Sequence, residues 1–257
     1  VSVRSAPCGR CQVLREDPEL ADPIESGRRE QATAECTARE VWIPAGNRAP
    51  QRGTLISDNA IGLLVLEGLL IRRVGIDERC GAELLGEGDI LRPGLGERES
   101  PTLNMTTGWS VIEPARFAVL DEEFVRHLAN YPELAVSLVA RALQRSRTLA
   151  VNMAIVHQAR VDVRLHMLLW HLAGRWGRVR SDGTVLRLRL THSVLADLVA
   201  ARRPTVTSAL SDLSRRGLVR WEDDAWLLSG EPPGELLDLA PSASAAPAAP
   251  AGSMHTS

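Results

Sequence analysis

The sequence predicts an α+β chain: a small all-β domain, then a long helix, then a winged helix-turn-helix towards the C-terminus. Three observations carry that expectation. Between Val41 and Asp121, short apolar runs are cut by Gly and Pro at the roughly 8–12-residue spacing of small barrels and sandwiches. From Asp121 onward the apolar period lengthens to that of helices. From Thr191 to Leu228, two short helical patterns, a tight turn and a hairpin follow in order.

The 257 residues allow about two domains. The expected division is an extension over 1–40, a β domain over 41–130, a long helix over 131–160, a winged helix-turn-helix over 161–230, and an Ala/Pro-rich tail over 231–257. The composition of that tail predicts disorder. No window approaches the roughly 18 consecutive apolar residues of a membrane span, and Val1-Ser2-Val3-Arg4 runs into polar sequence unlike a signal peptide. The cytoplasm is the expected location, with no membrane partner. Net charge is only −2, but seven Arg stand against two Asp between Leu186 and Arg220. Such a local basic face suits phosphate binding. The chain has no Lys, so arginine richness as such carries little weight.

In the extension, Pro23 to Ala38 reads as helical. In the β domain, Leu63-Leu64-Val65-Leu66 and Leu69-Leu70-Ile71 flank Glu67-Gly68, and a turn is expected at Gly75–Glu78. Leu84-Leu85 leads into Gly86-Glu87-Gly88-Asp89 and Ile90-Leu91, and Trp109–Val111 and Phe117–Leu120 close the domain. Glu122–Leu128 reads as a short helix, and Pro132 opens a long one. On it Leu138, Ala142, Leu149, Met153 and Val156 fall 4, 7, 4 and 3 residues apart, a heptad-like stripe interrupted at Arg145 and Ser146. That stripe suits either a homodimer seam or packing on the chain's own β domain. Val163–Trp176 forms the next helix.

Thr191 is placed to cap a helix over Ser193–Ala200. Ala201-Arg202 makes the turn, and Arg203-Pro204 opens a second helix, where proline loses no hydrogen bond. Val206, Leu210 and Leu213 are its buried stripe, and Gly217 ends it. Leu218–Trp221, Asp223-Asp224 and Trp226–Leu228 form the wing. Double-stranded DNA is the expected partner, because a recognition helix meets base edges with its N-terminal residues. Arg202 and Arg203 stand there, and arginine bridges guanine O6 and N7. Thr205, Thr207 and Ser208 beside Pro204 reach phosphates or bases, and Thr191 and His192 hold the backbone. Arg215 and Arg216 suit dipole complementation at the helix end.

Thr191–Leu228 resembles the DNA-binding domain of the Crp/Fnr family of bacterial regulators. The strings carrying the resemblance are Leu190-Thr191-His192, Leu195-Ala196-Asp197-Leu198-Val199, Arg203-Pro204-Thr205-Val206-Thr207 and Gly217-Leu218-Val219. Upstream, Leu66-Glu67-Gly68 and Leu84–Asp89 are similar to the family's cyclic-nucleotide-binding-like β-roll, Pro132–Val156 to its dimerisation helix, and Arg160-Val161-Asp162 to its hinge. The resemblance spans about Val41–Gly230 and implies a homodimeric transcription regulator, no enzyme, with a sensor domain that repositions the recognition helices and RNA polymerase as a further partner. Two positions depart from the family pattern. Arg92-Pro93 stands where nucleotide-binding members carry Gly-Glu, and Leu95–Thr107 lacks their Arg-Ser pair. Cyclic AMP is therefore not the expected effector. Pro204 replaces the common Glu after the first recognition-helix Arg, so the operator is expected to differ.

Cys8, Cys11, Cys36 and Cys80 leave three readings open: an iron–sulfur cluster or zinc at one site, a thiol redox switch, or unconnected thiols. Some family members ligate an iron–sulfur cluster through three N-terminal cysteines and one in the sensor, the same three-plus-one count, although Cys36 lies 25 residues after Cys11. A rival function follows: a redox- or metal-sensing protein whose winged helix serves a protein partner. His166 and His171, five apart on a helix, share no face as ligands would. The sequence contains no P-loop, GxSxG or HExxH motif.

Overall fold

In a computed structural model of the chain, the described residues are 9–46, 56–57, 59–76, 79–93 and 105–237. The elements in order begin with strand β1 (Arg10–Gln12), helix α1 (Val13–Glu16), a 3-10 turn (Pro18–Ala21) and helix α2 (Ser26–Glu35). Strands β2 (Thr37–Ile43), β3 (Gly62–Ile76), β4 (Arg79–Leu85), β5 (Ile90–Leu91) and β6 (Met105–Leu120) follow. They form one antiparallel sheet in the order β1-β2-β6-β3-β4, with β5 on β3. Helices α3 (Glu122–Leu128), α4 (Pro132–Val156) and α5 (Val161–Trp176) come next. The hairpin β7 (Gly177–Arg180) and β8 (Gly183–Leu186) precedes α6 (His192–Leu198) and α7 (Arg203–Arg215). The hairpin β9 (Val219–Glu222) and β10 (Ala225–Leu228) and the short α8 (Gly234–Leu237) end the described chain. This α+β order agrees with the expected fold class.

The β domain differs from its expectation in strand length. The two runs around Glu67-Gly68 belong to one 15-residue strand rather than two short ones. The register slips between Val65 and Leu70, so the dipeptide is a bulge. Gly68 has φ +97, and a Cβ there would lie 2.4 Å from the Pro114 carbonyl oxygen. The interior of the bent sheet is filled by Val41, Leu63, Val65, Leu85, Trp109 and Phe117.

The extension is built into this sheet, since β1 pairs with β2. Its helix stops at Glu35, short of the expected Ala38, because Thr37 already begins a strand paired through to β6. Leu14, Leu20, Ile24 and Cys36 pack with Phe124, Leu134 and Leu138 in a second cluster. Arg141 on α4 donates to Asp17 at 2.8 Å, and Tyr131 Oη donates to Glu35 at 2.8 Å. The extension thereby braces the first half of α4. Towards the C-terminus, α8 packs on α5 inside the segment expected to be disordered, with Leu236 against the core. The rest of that segment, 238–257, lies outside the described residues.

A third cluster spans the halves of the chain. Leu69, Ile71 and Leu84, on the outer face of β3 and β4, join Leu168 and Leu172 of α5 and Leu195 and Leu198 of α6. Two ion pairs fix the same junction: Arg73 to Asp197 at 2.8 Å and Arg175 to Asp89 at 2.8 Å. Among the described residues, no helix is long and apolar enough to cross a membrane.

Candidate nucleic-acid interface

The two helices of the motif are set by local chemistry. Thr191 lies in the extended region and its Oγ1 accepts from the Val194 amide at 3.3 Å. This satisfies a first-turn N–H that would otherwise lack a partner. The turn runs over Val199–Arg202, with Ala200 at φ 49. Arg202 is the N-cap of α7 and Pro204 sits in its first turn. At the far end, Gly217 (φ 70) lets its amide reach Ser214 O at 2.9 Å, and the Leu218 amide reach Leu213 O at 3.0 Å. This paired closure is a Schellman motif. Val206, Leu210 and Leu213 are buried beneath the helix as the spacing predicts.

The opposite face of α7 is open. Arg202, Arg203, Pro204, Thr205, Thr207 and Ser208 are all exposed. Arg202 and Arg203 have no ion pair among the described residues, so two cations project beside a helix N-terminus, where anions are favoured. Thr207 Oγ1 donates to Arg203 O at 3.1 Å, and Ser208 Oγ to Pro204 O at 3.2 Å. His192 Nδ1 lies 2.9 Å from Thr207 Oγ1 and ties the two helices together. Ser211 continues this face one turn on, exposed and donating to Thr207 O at 3.0 Å. Its signal in the sequence is its place four residues after Thr207, which marks the same face.

The two arginines at the far end are occupied. Arg215 pairs with Asp212 at 2.9 Å, and Arg216 with Asp162 at 3.3 Å. Asp162, at the start of α5, also holds Arg160 at 2.7 Å, and the hydrogen bond from Arg160 keeps its carboxyl below the usual range. Of the arginines at the two ends of α7, those at the leading end are thus the ones without an ion pair among the described residues. The wing matches its expectation: Asp223 and Asp224 both have positive φ, as a two-residue hairpin turn requires. Trp221 lies edge-on to Trp226 with ring centroids 4.8 Å apart. The hairpin β7–β8, which was not foreseen, extends the wing into a four-stranded sheet ordered β7-β8-β10-β9.

The proposed seam residues on α4 are split. Leu138 is 6% exposed and belongs to its own chain's core, whereas Met153 is 64% exposed. Ala142 is exposed, and Leu149 and Val156 are half-buried. The exposed stripe consists instead of Pro132, Val136, Val139, Leu143, Ser146, Ala150 and Met153. Their spacing alternates 4 and 3 without interruption, and the stripe lies roughly a quarter-turn from the expected line.

Two of the four cysteines, Cys11 and Cys36, have described side chains. Cys8 lies outside the described residues. Cys11 and Cys36 are buried thiols, and burial pushes Cys36 up to about 11 and raises Cys11, the opposite of a reactive thiolate. Cys80 pairs in register with Gly75, itself opposite Thr106, whereas Arg39, three residues after Cys36, pairs with Val119. Thirteen residues of β6 separate Thr106 from Val119, roughly 40 Å of extended strand. Among the described residues, no group of three or more metal-ligating side chains comes together. His166 accepts from Trp170 Nε1 at 3.1 Å, and burial lowers both His166 and His171.

A family model for a Crp-like helix-turn-helix domain matches residues 163–228. The CRP-like cAMP-activated global transcriptional regulator of Mycobacterium tuberculosis is 30% identical over 151 residues, 58% of this chain and 62% of that relative. The match thus spans less than two thirds of the relative's length. Among solved structures, a cyclic nucleotide-binding domain containing protein from Listeria monocytogenes aligns with TM-score 0.62 at 13% identity, over 82% of this chain and 96% of that one. A CooA mutant from Carboxydothermus hydrogenoformans aligns with TM-score 0.57 at 17% identity, over 79% and 86%. At these identities the structures share the fold.

Proposed function

Because residues 163–228 match a Crp-like helix-turn-helix domain, we propose that this chain is a member of the Crp/Fnr family and a homodimeric regulator that binds a specific double-stranded DNA site. The observation that carries this reading is the leading end of α7. Arg202 and Arg203 are exposed there and have no ion pair among the described residues, while Arg215 and Arg216 are paired with Asp212 and Asp162. Arg203 is the base reader, Arg202 a phosphate contact, and Thr191, His192, Thr205, Thr207 and Ser208 fix register. Pro204 offers no donor to a base and only shapes the helix start.

The test is affinity for a site selected from random duplexes, measured beside random DNA across a salt series. Arg203→Ala should cost about 1–3 kcal/mol on the selected site and relax preference at one base pair. Arg202→Ala should weaken both DNAs alike, with a shallower salt slope. Equal losses on both DNAs for Arg203→Ala would reject its role as a reader; absence of any selected site would reject the function.

The dimer uses the Pro132–Met153 stripe as its seam, since helix-turn-helix dimers match two half-sites. Control passes from the β domain to α6 through the Arg73–Asp197 pair and the Leu69, Ile71 and Leu84 patch. Contact with RNA polymerase belongs to the same reading. Cyclic AMP is not the effector, since Pro93 has no amide N–H and Arg92-Pro93 supplies no carboxylate for a ribose.

A further inference from the structure

A cavity of about 960 Å³ opens between the Gly86–Asp89 turn, α4, the second half of α5 and the Pro18–Ala21 turn. Its size is that of a small-molecule site. Ser137, Arg141, Arg145, Thr148 and Asn152 line it from α4, roughly half a turn around the helix from Val139 and Leu143. A second copy seated on the exposed stripe would leave it empty. It is also separate from the interior of the β domain, which is packed around Trp109 and Phe117.

The guanidinium groups of the lining are already engaged. Arg141 holds Asp17 and the Gly88 carbonyl at 2.8 and 3.0 Å. Arg145 holds Glu83 at 2.5 Å and the Ile90 carbonyl at 3.0 Å. Arg175 holds Asp89 at 2.8 Å and the Glu87 carbonyl at 2.6 Å. Burial keeps His171 below the usual range, so it adds no charge near neutral pH. The lining therefore has little to offer an anion. Acceptors are in surplus: Asp17 Oδ2 and Asn152 Oδ1 are buried and accept from no donor among the described residues. A buried acceptor without a donor is costly, and a ligand bearing N–H groups relieves that cost.

The two acceptors are well separated. Asp17 is held by Arg141, and Asn152 lies eleven residues further along α4, about 16 Å along its axis. Between them Leu84, Leu168, Leu172 and Trp176 supply apolar wall. We infer that this cavity binds an extended aliphatic polyamine, with ammonium groups at Asp17 and Asn152 and methylenes along the leucines. The site is independent of the DNA-binding reading, because it is tested on the DNA-free chain.

The probe is spermine, titrated calorimetrically into the full chain at fixed ionic strength. One site per chain is expected. Asn152→Leu should weaken it about tenfold. Asn152→Asp, which places a full negative charge at the same point, should tighten it several-fold and decides the matter if the leucine variant does not fold. Unchanged affinity in the variants that fold, or displacement of spermine by magnesium at equal charge concentration, would reduce the effect to diffuse ion association and overturn the inference. So would displacement by cyclic AMP, since an anion would then share the site.

Discussion

Leu143 offers the sharpest test of how two copies meet. It is 59% exposed in the single chain, so a polar replacement there should change the stability of an isolated chain by about 0.5 kcal/mol or less. A seam along Val136, Val139, Leu143 and Met153 reverses that expectation. Full burial of a leucine is worth about 1.5–3 kcal/mol, and the exposed fraction makes roughly 1–2 kcal/mol available per copy. A symmetric dimer uses Leu143 twice, so Leu143→Glu should cost roughly 2–4 kcal/mol of association. That raises the dimer Kd by about 30- to 700-fold, before repulsion between two facing carboxylates is added. Sedimentation equilibrium across a concentration series measures it directly. Leu138→Ala is the contrast: with 6% exposure it should lower fold stability by about 2–5 kcal/mol without acting on the seam. Wild-type sedimentation for Leu143→Glu, with dissociation caused by Leu149→Glu instead, would refute the assignment and restore the line a quarter-turn away.

Three further outcomes concern buried histidines, the strained glycine of β3 and cyclic AMP. Burial lowers His166 and His171 in the folded chain, so the unfolded chain takes up protons first; stability present above about pH 6.5 should fall as pH drops through that value towards the lowered ones, and urea midpoints at pH 7.5 and 5.5 should differ less for His171→Gln than for wild type. Gly68→Ala forces φ +97 on a residue with a Cβ and drives that atom into the Pro114 carbonyl, so it should cost about 2–3 kcal/mol, seen as a melting temperature lower by about 5–10 °C. Calorimetry should detect no micromolar cyclic AMP binding that raises operator affinity; detection of both would restore a nucleotide grip beyond Arg92-Pro93.

The helix-turn-helix was legible because its determinants are local. Thr191 caps, Pro204 starts, Gly217 stops, and the apolar spacing of Val206, Leu210 and Leu213 sets the buried face, so each residue acts within a few positions of itself. The hairpin β7–β8 was hidden for the converse reason. Gly177-Arg178-Val179-Arg180 carries one apolar residue, which is 87% exposed, and the strand exists because β8 also pairs with β10, some forty residues on. The bulge at Gly68 was read as a break because a glycine between apolar runs has the same signature in a turn as in a strand that must bend.

The α4 stripe shows where a one-dimensional pattern fails most instructively. A 25-residue helix contacts several things at once, and its apolar residues divide among them. Leu134 and Leu138 go to the cluster under the N-terminal extension, Ile155 to the cluster with α5, and Val136, Val139, Leu143 and Met153 remain outside. The stripe of Leu138, Ala142, Leu149, Met153 and Val156 joined a residue of the first set, Leu138, to one of the third, Met153. What separates them is the extension itself: Asp17 on Arg141 and Glu35 on Tyr131 fix which side of α4 faces inward. The stripe left outside is then the one with unbroken 4-and-3 spacing, as a two-helix seam requires. Of the two residues that interrupt the pattern in sequence, Arg145 points to the opposite side, where it holds Glu83 as Arg141 holds Asp17, while Ser146 lies within the exposed stripe. The one charge that weakened the heptad reading of the sequence, Arg145, is therefore outside the exposed stripe.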